Sequence, residues 1–192
     1  MSSSQSAKSN GAKRNSIPAR LHHNAYVCRD LEGTRNFYEG TLGWPLVAVW
    51  REHDHVFNDD IDYCHLFFEI GDGGMLAFFR FADPAKQAKY AQYGPHSPFV
   101  HIALKADAGT QDEIKRRLEA AGHEISIIDH GYCRSLYVTD PNGLNLEFAV
   151  DHPDWDKICA KRAASVDADF KAWVKGDRST NNEWRPEEPA SK

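Results

Sequence analysis

The order of local signals in this chain repeats itself, and that duplication limits its fold more than any single residue does. From Leu21, the stretch LHHNAYVC alternates as a strand, with His23, Ala25 and Val27 on one face. Asp30 can cap a helix that turns Leu31, Phe37, Tyr38 and Leu42 inward and closes near Gly43. A strand at Leu46–Trp50 follows. The polar run REHDHVFNDDID then reads as a loop over 51–62. Strands Tyr63–Ile70 and Met75–Phe81 flank the turn Gly71-Asp72-Gly73-Gly74. After a connector with a short helical patch, the same order returns. Phe99–Lys105 is a strand, and Thr110-Gln111-Asp112-Glu113 is a capping box. The helix it opens turns Ile114, Leu118 and Ala121 inward and ends at Gly122. Strands Glu124–Ile128, Ser135–Thr139 and Leu144–Val150 complete it. The chain is thus β-α-β-β-β twice, an α+β protein, with the polar 51–62 stretch lengthening the first unit.

These signals divide the chain into a tail at 1–17, a first module at 18–82, a connector at 83–97, a second module at 98–151, and a C-terminal part at 152–192. The tail is Ser-rich, basic and nearly free of apolar groups, so it is expected to be disordered. Residues 153–175 have the spacing of an amphipathic helix, with Trp155, Ile158, Cys159, Phe170 and Trp173 toward the core. The last residues look loose or partner-bound. A net charge of −5 without a basic face argues against nucleic acid as a partner. No apolar run approaches the roughly 20 residues of a membrane span. Cys28, Cys64, Cys133 and Cys159 show no C-x-x-C spacing and follow no secretory signal, so reduced thiols in a cytoplasmic protein are expected.

Ten histidines are many for this length. His23 and His101 hold matching places on the first strand of each unit. Glu147 lies on the last strand of the second unit, flanked by apolar residues, where a carboxylate wants a cation. If the units pair about a pseudo-twofold axis, the three side chains can share one cavity. Two imidazoles and a carboxylate leave about half of an octahedral shell open, as in non-haem Fe(II) oxygenases. Counted from the turn glycine, the first-unit counterpart of Glu147 is Phe78, which supplies no fourth ligand. Alone, each of these residues reads as an ordinary strand position; their joint register singles them out.

The stretch Ile128-x-His130-x5-Leu136-Tyr137-x2-Asp140-Pro141-x-Gly143-x3-Glu147 resembles the signature of the type I extradiol ring-cleaving dioxygenases. Those enzymes belong to the vicinal oxygen chelate superfamily, which the duplicated unit itself resembles over roughly residues 20–150. The length is similar to that of the small two-module members acting on biphenyl-2,3-diol. The resemblance implies two paired βαβββ modules forming a cup-shaped mixed β-sheet around a metal site. It makes His23, His101 and Glu147 ligands of Fe(II), with Mn(II) as the other ion to consider. It also makes His130 a partner of the dioxygen-derived species or substrate oxygen, and Tyr137 a donor to the substrate hydroxylate. One departure stands out: the longer dioxygenases carry a further histidine in the strand corresponding to 74–77. Here His96, His65 or a residue of 51–62 would have to replace it.

The expected activity is extradiol cleavage of a bulky catechol by O₂ in a homo-oligomer acting on small molecules, without nucleic acid or membrane. Another metalloenzyme of the superfamily, a glyoxalase-like lyase or an epoxide-opening transferase, should lack the His130–Tyr137 pair. A metal-free module that binds an aromatic drug would not need three ligand-type residues at matching places.

Overall fold

The structure, a computed structural model, describes residues 18–56, 59–94 and 96–186. The tail expected at 1–17 and the extreme end of the C-terminal part lie outside the described residues. In the first module, β1 (His23–Val27) leads into α1 (Leu31–Arg35), and β2 (Leu46–Val56), β3 (Asp59–Glu69) and β4 (Met75–Phe81) follow. After α2 (Pro84–Tyr90), the second module runs β5 (Ile102–Lys105), α3 (Ala108–Ala120), β6 (Ile125–Asp129), β7 (Cys133–Thr139) and β8 (Asn145–Asp151). Helix α4 (Trp155–Val174) closes the order.

Each module folds into its own four-stranded mixed sheet, in the orders β1-β4-β3-β2 and β5-β8-β7-β6. The first strand of each module pairs in parallel with the last, and the other pairs are antiparallel. The duplication extends to side-chain placement, because β4 and β8 bury the same positions in the same order.

One apolar core joins the modules, built from Phe37, Tyr38, Leu66, Phe68, Leu76 and Phe78 of the first and Leu118, Leu136, Leu146 and Phe148 of the second. Asp30 caps α1 by accepting from the Gly33 N–H at 2.5 Å. Beyond Arg35 the helix widens over Asn36–Thr41, where the Leu42 N–H bonds five residues back to Phe37 O at 2.9 Å. The extra residue in that turn lets Phe37 and Tyr38 both face inward.

The turn after β7 fastens the two modules together. Asp140 Oδ1 accepts from the N–H groups of Asn142 (2.8 Å) and Leu144 (2.7 Å). Its Oδ2 accepts from Tyr38 OH of the first module at 2.9 Å and from Asn142 Nδ2 at 3.0 Å. Asn142 Oδ1 in turn accepts from the Arg29 N–H at 2.8 Å. Burial pushes the Asp140 carboxyl upward against the pull of these donors. Gly143 takes φ 92°, and its backbone lies so close to Gly94 that a Cβ on either residue would collide with the other.

Several local expectations are corrected. The described residues of the polar stretch, 51–56 and 59–62, are strand rather than loop: β2 and β3 extend into it as an arm of paired strands. Cross-strand pairs hold this arm, His53 with Asp62 at 2.8 Å and His55 with Asp60 at 2.6 Å. Helix α3 starts earlier than its capping box suggests, because Asp107 caps it through the Thr110 N–H. Gln111 is buried there, whereas Ala121 is exposed. On α4 only Ile158 is buried; Phe170 and Trp173 are 69% and 61% exposed, so the helix does not lay its full apolar stripe on the core. Among the described residues, no helix is long and apolar enough to cross a membrane.

Candidate metal and proton-transfer site

The open face of the second sheet carries the candidate site. Strand alternation places Glu147 on β8 beside Tyr137 on β7, and Ser126 on β6 lies next in the same row. His101 immediately precedes β5. Its Nε2 lies 2.8 Å from Glu147 Oε2, with the histidine side chain 31% exposed and the carboxylate 8%. Ser135 donates its hydroxyl to the other carboxylate oxygen, Oε1, at 2.5 Å. Both oxygens of this buried acid are therefore occupied, as burial requires.

His130 follows β6 and turns its ring back onto β7, placing Nε2 2.9 Å from Tyr137 OH. The Tyr132 ring stacks on it, with centroids 5.8 Å apart. Burial pushes the Tyr137 hydroxyl up to about 12, and the nearby Glu147 carboxylate adds to that. Tyr137 thus keeps its proton at neutral pH, and its hydroxyl shares a hydrogen bond with His130 Nε2. The His101–Glu147 and His130–Tyr137 pairs line one cleft of about 650 Å³ with Phe99 and Ile128. All the residues lining that cleft lie between 98 and 147.

His23 stands elsewhere. It sits on the first sheet, with its Nδ1 2.7 Å from His22 Nδ1 and its ring 6.2 Å from His65 and 5.5 Å from Phe67. Among the described residues of one chain, no three His, Cys, Asp or Glu side chains gather closely enough to hold an ion. The structure therefore brings together His101, Glu147, His130 and Tyr137, and leaves His23 outside that group. Register does make His23 and His101 equivalent. His23 pairs with Met75, one residue before the Asn24–Leu76 pair, and His101 comes one residue before the matching Ile102–Leu146 pair.

The same register corrects the counterpart of Glu147. It is Ala77, because Phe67 pairs with Ala77 as Tyr137 pairs with Glu147. Phe78 instead matches Phe148 in the core. Of the residues considered in place of the missing histidine, His65 shares a sheet face with His23, whereas His53 and His55 are paired on the exposed arm. Among the described residues, His65 Nε2 is buried without a partner. Burial, with the nearby His23, pushes its imidazole down to about 4.

The donor chemistry fits half of a divalent-metal site. Two cis ligands about 2.1 Å from one ion stand about 3.0 Å apart, close to the His101–Glu147 separation. Sequence reading missed Ser135. Its signal is its place two residues before Tyr137, on the same strand face.

Residues 20–148 match the family model described as the Glyoxalase/Bleomycin resistance protein/Dioxygenase superfamily. The chain belongs to this superfamily. Helix α4 and the residues after it lie beyond the matched span. No curated protein matches the sequence significantly. Among solved structures, the fosfomycin resistance protein FosX of Mesorhizobium loti is 20% identical, with a TM-score of 0.53 over 74% of this chain and 99% of its own. A point mutant of FosX from Listeria monocytogenes, complexed with Mn(II) and 1S,2S-dihydroxypropylphosphonic acid, is 19% identical, with a TM-score of 0.52 over 72% of this chain and 97% of its own. A glyoxylase/bleomycin resistance protein/dioxygenase domain from Frankia is 15% identical, with a TM-score of 0.56 over 72% of this chain and 95% of its own. At these identities the likeness concerns the fold.

Proposed function

We propose that this superfamily member is a divalent-metal dioxygenase that opens a bulky catechol beside its two hydroxyls, with Fe(II) as the ion and Mn(II) as its alternative. The observation that carries this reading is the shared cleft, where a ligand-type pair, His101–Glu147, faces a proton-handling pair, His130–Tyr137. A bound ion of this kind supplies the charge that lets a catechol bind ionised and the redox couple that O₂ chemistry needs.

The protein's own groups do the rest. Ser135 holds Glu147 in one orientation and leaves Oε2 directed at His101. Tyr137 keeps a proton on its hydroxyl to donate to a substrate oxygen, and His130 Nε2 can restore that proton along their 2.9 Å contact. Phe99, Ile128 and Tyr132 give the cleft apolar walls suited to an aromatic ring.

The third ligand, on this reading, is His23 of a second copy. The first sheet presents His23, Phe67 and Phe79 on one face, and the second sheet presents the half-site, so a symmetric pair of chains could close two equivalent sites. Mixing chains tests this directly. His23→Ala and Glu147→Ala chains, each inactive alone, should recover about a quarter of wild-type activity on subunit exchange, because half the dimers are mixed and each carries one intact site. No recovery despite exchange would rule out sharing between copies.

A second reading, opening of an epoxide by water or a thiol, is favoured by the FosX likeness. One experiment separates the two. The chain is loaded anaerobically with Fe(II) or Mn(II), then given O₂ and a catechol panel including 2,3-dihydroxybiphenyl, with fosfomycin in parallel. A yellow ring-cleavage product supports the dioxygenase. Consumption of fosfomycin alone would overturn it in favour of epoxide opening.

A further inference from the structure

The C-terminal segment after α4 returns across the molecule and packs against the turn that carries His130. Its attachment to α4 is built from several contacts. Arg162 Nη1 donates to Asn181 O at 2.8 Å, Lys161 pairs with Glu183, and the Lys161 ammonium and Arg162 guanidinium lie 5.2 and 5.6 Å from the Trp184 ring. At its far end, Asn182 Nδ2 donates to the backbone carbonyl of His130 at 2.8 Å. Next to it, Gly131 takes φ 82°, and an added Cβ would collide with the Trp184 carbonyl and the Arg185 amide. The segment therefore packs main chain to main chain on the turn. From the other side, Asp129 Oδ1 accepts from the Gly131 N–H at 2.7 Å, and the His130 N–H donates to Cys133 O at 2.9 Å.

This strap lies beyond the superfamily core, so that core does not require it. It holds the one backbone carbonyl in the turn whose residue also points an imidazole into the cleft. We infer that Asn182 is a positioning residue: by holding the His130 carbonyl it fixes where the His130 imidazole meets Tyr137. The inference rests on the reading of His130 as the group that restores the Tyr137 proton. A ring held from its backbone loses rate steeply when displaced, since a shift of about 1 Å can cost a hundredfold.

The test uses the full chain with Asn182→Ala and Asn182→Asp. The second is close to isosteric and replaces the donor by a charged acceptor, so it breaks the hydrogen bond without opening space and stays informative if the first fails to fold. Two readouts are taken. In metal-free protein labelled with ¹⁵N-histidine, the His130 imidazole signal, assigned by its absence in His130→Asn, should shift in both variants while that of His55 stays in place. In Fe(II)-loaded protein with 2,3-dihydroxybiphenyl and O₂, kcat should fall about tenfold with KM and iron content unchanged. A His130 signal superimposable on wild type in the folded variants would overturn the inference. So would a rise in KM with kcat unchanged. If the signal shifts but wild type turns over no catechol, the positioning role stands and the proposed activity falls.

Discussion

Breaking the Tyr38–Asp140 bond tests whether the turn after β7 locks the modules together or merely closes a hairpin. Tyr38 is wholly buried and Asp140 nearly so, and their bond of 2.9 Å crosses from one module to the other. A hydrogen bond to an ionisable group contributes about 1.5–3 kcal/mol. Because Asn142 Nδ2 still reaches Oδ2, Tyr38→Phe should cost about 1–2 kcal/mol. Asp140→Ala does more damage. It strands the Tyr38 hydroxyl and the N–H groups of Asn142 and Leu144, for a cost of about 3–5 kcal/mol. In the double variant the stranded hydroxyl is gone, so its total should fall short of the sum by about 1–2 kcal/mol. Urea unfolding of the four proteins at constant pH measures the cycle, provided that the m-values agree. Additivity within about 0.5 kcal/mol would show that the two groups do not act together, and the turn would then be a local feature.

Three further outcomes follow from the site and the thiols. Tyr137→Phe should slow turnover about a hundredfold while metal content stays constant by elemental analysis, and loss of metal would contradict a donor role. In metal-free protein, the unfolded chain takes up a proton on residue 65 between pH 6.5 and about 4 that the folded chain refuses. Stability should therefore fall as pH falls through that window, and His65→Phe, which can still stack on Phe79, should flatten the slope in chemical denaturation. An unchanged slope would place the titration elsewhere. With an aromatic disulfide reagent, exposed Cys159 should react first and Cys28 last, since Cys28 is buried and its thiol is pushed up to about 11 by that burial. Early labelling at Cys28, mapped by peptide mass, would contradict the packing.

The parts of the fold that bury one face were legible from their periodicity. In β8 Leu146 and Phe148 alternate with Glu147 and Ala149 because one face meets the core, and Asp30 and Gly122 mark real helix ends. The paired arm was illegible because neither of its faces is apolar; its His–Asp pairs form only once the strands are already opposite one another. The misplaced counterpart of Glu147 has an equally local cause. Met75 begins β4 directly after Gly74, whereas Leu144 stands between Gly143 and the start of β8, so counting from the turn glycine slips by one residue. A slip of one in a strand moves a side chain from the open face to the core, which is why Phe78 was named and Ala77 is correct. Asn182 had no periodic or motif signal, since its role depends on a chain reversal far from His130 in sequence.

The divergence of the two halves explains where chemistry could arise. Equivalent positions on the open faces carry Phe67 and Ala77 in the first sheet but Tyr137 and Glu147 in the second; His65 is matched by Ser135. The core positions beneath them stayed apolar, with Leu66, Leu76 and Phe78 answering Leu136, Leu146 and Phe148. Substitution on the open face left packing intact, because alternation insulates one face from the other. The second sheet could therefore acquire a carboxylate, a hydroxyl to hold it and a phenol. The first kept a histidine in register and aromatic rings that strip water from whatever they cover. Among the described residues, neither half by itself gathers three side chains that could hold an ion. On the function proposed above, such halves would act by facing one another, since within one chain the residues lining the cleft all come from the second half. That asymmetry, more than the resemblance of any one motif, is why the subunit-mixing experiment bears most directly on what this protein does.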